Sequence, residues 1–360
     1  MGALLCWSVD VYKGLNGRYY RLVVLSVNAQ RRRNAGMAWL MRLSIIIVSW
    51  NVKEDVLDCL RSIRQHPLPE PFEVLLVDNA STDGTERAVR EEFPEVSVIA
   101  NGRNMGFATA NNQALIVAKG EYLLLLNPDT IVHPNALDLL VRFMDSHEDV
   151  GACGPRLLNS DGTTQSSVRR FPSFRAALYR HSAFRYLRLF RGAYARFLMK
   201  DFGHETQIEV DVVKGAALMV RRSVLEEIGL MDEDFFMYYE EADLCYRIKE
   251  ALWRIVFLPE ALITHTGGRS SDKAGIRRRV MRLRSLVTFF AKHRGPVATG
   301  LFVSVFAPAL LVRHVCDLTA GACAFLYGMA TCREDLRERA AAKVKAAALL
   351  LWMWPWRLTT

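Results

Sequence analysis

The amino-acid sequence predicts an α/β protein built on a mostly parallel sheet with helices on both faces. Three observations carry that prediction. Strand, loop and helix signals alternate repeatedly from Leu43 to Leu126. The strand candidates are unbroken apolar runs rather than alternations, as strands covered on both faces require. Each run ends in polar residues: Ser49 to Asn51, Asp78 to Ser81, Asn101 to Asn104 and Asn127 to Asp129. In open parallel sheets ligands bind beyond the carboxyl ends of the strands, so those four ends form one candidate site.

The elements follow in order. Leu43 to Trp50 is a β-branched run expected to form a strand buried on both faces, and Asn51 is placed to cap a helix whose Val56, Leu57, Leu60 and Ile63 share one side. That helix must end before Pro67 and Pro69. Phe72 to Val77 is a second strand, followed by a turn-rich stretch and a helix around Glu86 to Glu92. Val96 to Ala100 is a third strand, Phe107 to Ala118 a helix, and Tyr122 to Leu126 a fourth strand. From Gly151 to Gly268 shorter strands are expected, with a helix over Glu240 to Glu250.

Composition sets the outer limits. A chain of 360 residues, 51% of them hydrophobic, can bury a full core, which excludes a disordered or fibrous protein. A formal charge of +9 suits anionic partners such as phosphates or acidic lipid surfaces. Seven scattered cysteines, with no CxxC pair and no zinc-like spacing, read as reduced core thiols. The N-terminus lacks a basic segment followed by a long apolar one, which argues against secretion and for a cytoplasmic protein. Residues 1–40 carry no clear period and read as an extension, with Met37 and Met41 as candidate starts. Residues 41–268 read as one domain, split into halves 41–150 and 151–268, and residues 269–360 as a basic and apolar helical region.

Several segments carry chemistry. Asp78, at a strand terminus, can accept the imide hydrogen of a uracil or thymine ring, although Asn, Asp, Ser and Gly also form ordinary turns. Leu126-Asn-Pro-Asp-Thr130 delivers one carboxylate to the sheet edge, where a divalent cation bridging phosphate oxygens would sit; a type I turn explains the tetrapeptide equally well. Met231 to Asp243 is more specific. Six carboxylates and four aromatic residues crowd immediately before a helix carrying Leu244, Ile248 and Leu252. A helix N-terminus stabilises anions, which favours Glu241 as a general base. His265 follows a short apolar strand and precedes a Gly pair, and alone reads as structural.

Two basic regions flank this set. Arg175, Arg180, Arg185, Arg188, Arg191, Arg196 and Lys200 lie between Phe171 and Lys200 with no acidic residue and with interleaved aromatics. A solvated basic face and a surface for a lipid-diphosphate acceptor on an anionic membrane both fit. No recognisable nucleic-acid fold surrounds the stretch, so nucleic acid is not an expected partner. Beyond Arg277 to Arg284 the chain turns apolar; Val297 to Val312 is uncharged but shorter than the ~20 residues that span a bilayer. Helices packed on the domain or lying at a membrane interface are expected there rather than a spanning hairpin.

Taken together, Ser44 to Asn51, Val77 to Gly84, Asn104 to Gln113, Leu126 to Asp129, Lys214-Gly-Ala216, Phe235 to Asp243 and His265 resemble the family 2 inverting glycosyltransferases of GT-A fold, within them the bacterial rhamnosyltransferase-like subgroup. The resemblance implies that Ser49, Asn51, Asp78 and Asn104 contact the nucleotide, that Asp129 and His265 hold a divalent metal, Mg²⁺ or Mn²⁺, and that Glu241 and Asp243 are catalytic. Asn127 stands where the family's metal motif often has its first carboxylate, implying weak or exchangeable metal binding. The implied donor is a dTDP- or UDP-sugar, with rhamnose first, and the implied acceptor a glycan or lipid-diphosphate-linked glycan of cell-surface polysaccharide assembly, met at the inner face of the plasma membrane. A nucleotidyltransferase on a similar sheet is one rival, though no glycine-rich pyrophosphate loop follows the first strand. A catalytically silent sugar-nucleotide binding protein is another.

Overall fold

A computed structural model describes residues 41–267 and 275–330. The expected extension over residues 1–40, Gly268 and the tail from residue 331 lie outside the described residues.

The first half forms as its apolar runs dictate. β1 (Leu43–Ser49) is buried at every position, and pairs in parallel with β2 (Phe72–Asp78) on one side and β4 (Tyr122–Leu126) on the other. Each Ile or Leu so buried contributes about 1.5–3 kcal/mol, which is why a strand without polar alternation sits at the centre. β3 (Ser97–Ala100) adds to the edge of β2, also in parallel. The crossovers are α1 (Lys53–Gln65), α2 (Thr85–Glu92) and α3 (Phe107–Val117). Asn51 does not cap α1. It sits at φ 55° and binds the loop after β2, while the backbone N–H of Lys53 donates to Asp83 Oδ2 at 3.0 Å. The acceptor for that helix start comes from another loop, which no local pattern announces.

The second half departs from a purely parallel sheet. After β5 (Thr130–Val132) and α4 (Ala136–Ser146) comes β6 (Val150–Leu158); β7 (Val168–Arg169), β8 (Ile208–Glu209) and β9 (Val212–Val213) are two-residue strands. β10 (Ala217–Arg221) inserts antiparallel between β4 and β6, and β11 (Arg254–His265) runs parallel to β6 but antiparallel to β5 and β8. The main sheet has nine strands in the order β3-β2-β1-β4-β10-β6-β11-β5, with β8 beside β11, and β7 pairs with β9 apart from it. At twelve residues β11 is longer than the short strands expected here, accommodated by irregular register against β6.

Between β7 and β8 lie α5 (Phe174–His181) and α6 (Arg191–Phe197). α7 (Arg222–Ile228) follows β10, and α8 (Glu240–Glu250) carries the acidic motif. α9 (Gly275–Arg294) and α10 (Pro296–Ala330) complete the described chain. They pack onto one face of the sheet: Leu286, Phe289, Phe290 and Phe306 join the same apolar cluster as Val77, Leu125 and Leu244. The uncharged stretch Val297 to Val312 is part of one continuous helix of 35 residues, with Pro308 inside it.

One glycine couples the halves. Gly106 has φ +87°, and a Cβ there would fall 2.7 Å from both the ring and the carbonyl oxygen of Phe236. The adjacent Phe107 N–H donates to that carbonyl at 2.7 Å. Gly106→Ala combines a strained backbone with a clash, so we expect a loss of about 1–3 kcal/mol, read as a lower denaturation midpoint with an unchanged slope.

Candidate active site

The sheet brings the polar strand ends into one cleft. β1 and β2 end in register with Ser49 opposite Asp78. Ser49 is fully buried and Asp78 nearly so, and Ser49 Oγ and Asp78 Oδ1 have no hydrogen-bond partner. Asp78 Oδ2 accepts from the Ser81 N–H at 3.3 Å, and burial pushes the Asp78 carboxyl above its ordinary value against those hydrogen bonds. Buried polar atoms without partners are costly, and a ligand that supplies the missing hydrogen bonds removes the cost.

Asn51 and Asn104 shape this pocket through the backbone. Asn51 Oδ1 accepts from the Thr82 N–H at 2.7 Å, and the Asn51 N–H donates to Ser81 Oγ at 2.9 Å. Asn104 Oδ1 accepts from the Gly106 N–H at 2.9 Å and from Asn79 Nδ2 at 3.0 Å. Asn79, to which the sequence assigns no role, is the organiser: its Oδ1 accepts from the Met105 N–H at 2.8 Å and from Asn101 Nδ2 at 3.1 Å. The strand ends after β2 and β3 are thereby held as one rigid wall.

Asp129 and His265 meet beyond β4 and at the end of β11. Both are more than nine-tenths buried, with His265 Nε2 3.5 Å from Asp129 Oδ1. The imidazole is oriented from behind. Gln165 Nε2 donates to the His265 carbonyl at 3.0 Å and to Asn159 Oδ1 at 2.9 Å, which turns Gln165 Oε1 toward His265 Nδ1 at 2.7 Å. An amide oxygen only accepts, so a proton belongs on Nδ1; Nε2, on the carboxylate side, donates to Asp129 in the imidazolium form and offers a lone pair when neutral. A lone pair aimed at a carboxylate calls for a cation between them, and a histidine whose far nitrogen is fixed by a hydrogen bond is the usual arrangement at a metal ligand. The pair therefore fits a divalent metal. Among the described residues no group of three or more His, Cys, Asp or Glu side chains gathers to hold a metal, so the remaining positions would fall to oxygens of ligand or water. Asn127, in place of a carboxylate, directs Nδ2 to within 3.3 Å of His265 Nε2.

Lys214, just before β10, lies between these groups and the acidic motif. Its ammonium donates to Gln165 Oε1 and stands 3.4 Å from His265 Nδ1. Burial and Arg169 lower its pKa to about 8, while Asp129 and Glu241 pull the other way. Burial works to raise the Asp129 carboxyl, but His265 and Lys214 outweigh it and leave Asp129 below its ordinary value. Glu241 is on the first turn of α8 and packs on Gly215, where a Cβ would come within 3.2 Å of Glu241 Cβ. Its Oε2 is buried without a partner. One cleft thus holds an ammonium, an oriented imidazole and two carboxylates at the edge of a sheet.

The profile of glycosyl transferase family 2 matches residues 44–229. The chain belongs to that family. It is similar to the N-acetylglucosaminyl-diphospho-decaprenol L-rhamnosyltransferase of Mycobacterium tuberculosis, 30% identical over 240 residues that cover 62% of this chain and 76% of the relative. It is also similar to a low-salt glycan biosynthesis hexosyltransferase of Haloferax volcanii, 28% identical over 58% of this chain and 61% of that one. A mannosyltransferase of Pyrobaculum calidifontis, solved with GDP-Man and Mn²⁺, has the same fold: TM-score 0.50 at 20% identity, covering 93% of this chain and 96% of that one. The protein is thus a glycosyltransferase of GT-A fold, as the sequence motifs lead one to expect.

Within this glycosyltransferase Asp243 is placed differently from Glu241. Asp243 is fully buried, and its carboxylate meets Arg247 Nε at 2.9 Å, Lys292 Nζ at 2.7 Å and His293 Nε2 at 2.8 Å. It is saturated by partners, so its contribution is to fix α8 against α9. Glu240, also buried, is held well above the usual carboxylate range by burial and by its neighbour Glu241. Although burial raises it, His293, Arg247 and Lys292 bring the Asp243 carboxyl down to about 2. A folded-state value below the unfolded one near 4 contributes stability that is present above pH 4 and lost as pH falls toward 2. Asp243→Asn should cost about 3–5 kcal/mol by leaving buried cations uncompensated. Denaturant titrations should then show that the variant's deficit is full at pH 6 and shrinks between pH 4 and pH 2; a deficit independent of pH would assign Asp243 a different role.

Proposed function

We propose that the protein transfers a sugar, rhamnose in the first instance, from a dTDP- or UDP-sugar to a lipid-diphosphate-linked glycan in cell-surface polysaccharide assembly. The observation that carries the mechanism is the convergence of Asp129, His265, Lys214 and the unpartnered Glu241 Oε2 beside a pocket with unpartnered Ser49 and Asp78 atoms. The name of the mycobacterial relative supports rhamnose and the lipid diphosphate.

In this reading Asp78 accepts the imide N–H of the pyrimidine, and the wall built by Asn51, Asn79 and Asn104 excludes other orientations. Asp129 and His265 would hold a divalent metal, which supplies charge neutralisation to the diphosphate. Lys214 adds a positive charge at the same place, where water exclusion strengthens it. Glu241 Oε2 takes the proton of the acceptor hydroxyl as its oxygen attacks the anomeric carbon. The bond from that carbon to the β-phosphate oxygen breaks, its electron pair leaving on the diphosphate. Attack opposite the leaving group inverts the anomeric centre. Gly215 leaves the room that sets the base at the correct depth.

Membrane contact is part of the proposal. α10 exposes Val297, Leu301, Val305, Val312 and Val315 on one side, and Tyr186, Leu187 and Leu189 are exposed beside Arg185 and Arg188. Tyr186 Oη donates to Asp317 of α10 at 2.6 Å, so the two exposed segments adjoin. Apolar side chains with flanking arginines suit the interface of an anionic membrane, which supports a peripheral position on its cytoplasmic face.

Two experiments test this reading. Glu241→Gln should lower transfer by at least about a thousandfold while leaving donor affinity within about twofold, as expected for a group acting on the proton in flight. Wild-type enzyme should release nucleoside diphosphate, not pyrophosphate; near-normal turnover of the variant would remove Glu241 as the base. Replacing Arg185, Arg188 and Arg191 together by Gln should weaken flotation with phosphatidylglycerol vesicles by about tenfold or more, at roughly 1 kcal/mol per charge. Unchanged flotation would sink the membrane assignment.

A further inference from the structure

The α5 segment packs between the two C-terminal helices through its first aromatic residue, with the Phe174 ring 4.6 Å from Phe290 and 4.8 Å from Phe302. This brings the end of α5, Arg180 and His181, against α10, where Arg313 Nη1 donates to the Arg180 carbonyl at 2.8 Å. On α9, Arg279 and Arg282 lie three apart and share a side, and the Arg282 guanidinium stacks 4.6 Å over the Tyr238 ring. His181 is only 9% exposed, and its Nε2 has no partner. The buried His314 Nε2, next to Arg313, has none either.

The electrostatics agree that these groups are close. Burial, then Arg180, Arg282, Arg313 and Arg279, hold the His181 imidazole well below its ordinary range, so it is a neutral hydrogen-bonding group amid cations. Burial and Arg180 likewise depress Arg282, and burial and Arg185 depress Arg313. Asp317, 3.6 Å from Arg313, is one counter-charge, already shared with Tyr186. Like charges gathered around a buried, unpartnered imidazole are unfavourable by themselves. They become favourable around a polyanion, and planar guanidinium groups match phosphate oxygens two at a time.

We propose that Arg180, Arg279, Arg282 and Arg313, with His181 at their centre, bind the diphosphate of a lipid-linked acceptor. The proposal rests on the acceptor class given above. The cluster adjoins the catalytic corner through Arg282 on Tyr238, which is three residues before Glu241. A diphosphate held there directs the sugar attached to it toward the base, while its lipid chain leaves along the exposed apolar side of α10. The site is separate from the donor diphosphate site at Asp129 and His265.

The test uses the full chain in EDTA, which silences metal-assisted binding at the donor site, with inorganic pyrophosphate and farnesyl diphosphate as calorimetric probes. Both should bind the wild-type protein; Arg180→Gln with Arg282→Gln should weaken them at least about tenfold, and the matching Lys pair should recover part of that. Arg279→Gln, at an exposed position, should weaken them by about threefold without disturbing the fold. Nucleoside diphosphate binding with Mg²⁺ should be unchanged in every variant, which separates loss of this site from misfolding. Absent or unaltered probe binding would overturn the proposal. So would a variant that loses only phosphatidylglycerol vesicle binding, which would assign the cluster to lipid headgroups. If wild-type enzyme releases no nucleoside diphosphate with any acceptor but still binds the probes through these arginines, the transferase reading fails and the anion site stands.

Discussion

The buried Asp243 carboxylate is the constraint on which the arrangement depends. It is two residues from Glu241 on α8, ion-paired with Lys292 and hydrogen-bonded to His293 at the end of α9. Arg247, four residues on, closes the group and donates to the carbonyls of Ile228, Gly229 and Leu230 at the end of α7. A carboxylate surrounded so completely cannot move without uncovering buried charge. The first turn of α8 is therefore fixed relative to the sheet on one side and to the C-terminal helices on the other. Glu241, and the arginines of α9, are placed by the same ion pairs.

The sheet supplies the complementary constraint. Parallel β1, β2 and β4 end at one edge because they pair in register, Ser49 opposite Asp78 and Ile47 opposite Leu126, and this sets the Ser49 and Asp78 pocket beside Asp129. The antiparallel β10 enters between β4 and β6 with the opposite sense, so its beginning, not its end, reaches the same edge. That reversal brings Lys214 and Gly215 into the cleft. Asn127 N–H donates to the Ala216 carbonyl at 2.9 Å, tying the two strand ends by backbone alone. The small residues of this segment let Glu241 approach.

Much of this was legible in the sequence, and the rest fails for identifiable reasons. The four parallel strands and their crossovers could be read because continuous apolar runs between polar turns have few other solutions. Asp78, Asp129, Glu241 and His265 could be singled out as residue types at element ends. Gln165 could not: it is a polar residue in a loop a hundred positions from the histidine it orients. Asn79 looks like any turn residue until its three-sided hydrogen bonding is seen. Asp243 sits in the same acidic run as Glu241, and only the later arrival of α9 distinguishes a saturated carboxylate from one with an open oxygen. The start of α1 follows the same logic, its Lys53 N–H satisfied not by Asn51 but by Asp83, distant in sequence and adjacent in space.

By length and composition alone α10 could cross a bilayer. Its packing argues for another geometry. Phe302, Phe306, Leu310 and His314 are buried against the domain, at spacings of four that define one side. Val297, Leu301, Val305, Val312 and Val315 define the opposite side and are exposed. A spanning helix would have to take the buried histidine and the half-buried Arg313 into hydrocarbon, and give up the aromatic stack of Phe174, Phe302 and Phe306. Lying in the interface keeps both sides satisfied, one on protein and one on lipid. It also keeps Arg180 and Arg313, which the helix itself positions, at the depth of headgroup phosphates rather than of acyl chains. The proposed acceptor, with its charge at that depth and its chain below, is then presented to Glu241 without leaving the membrane.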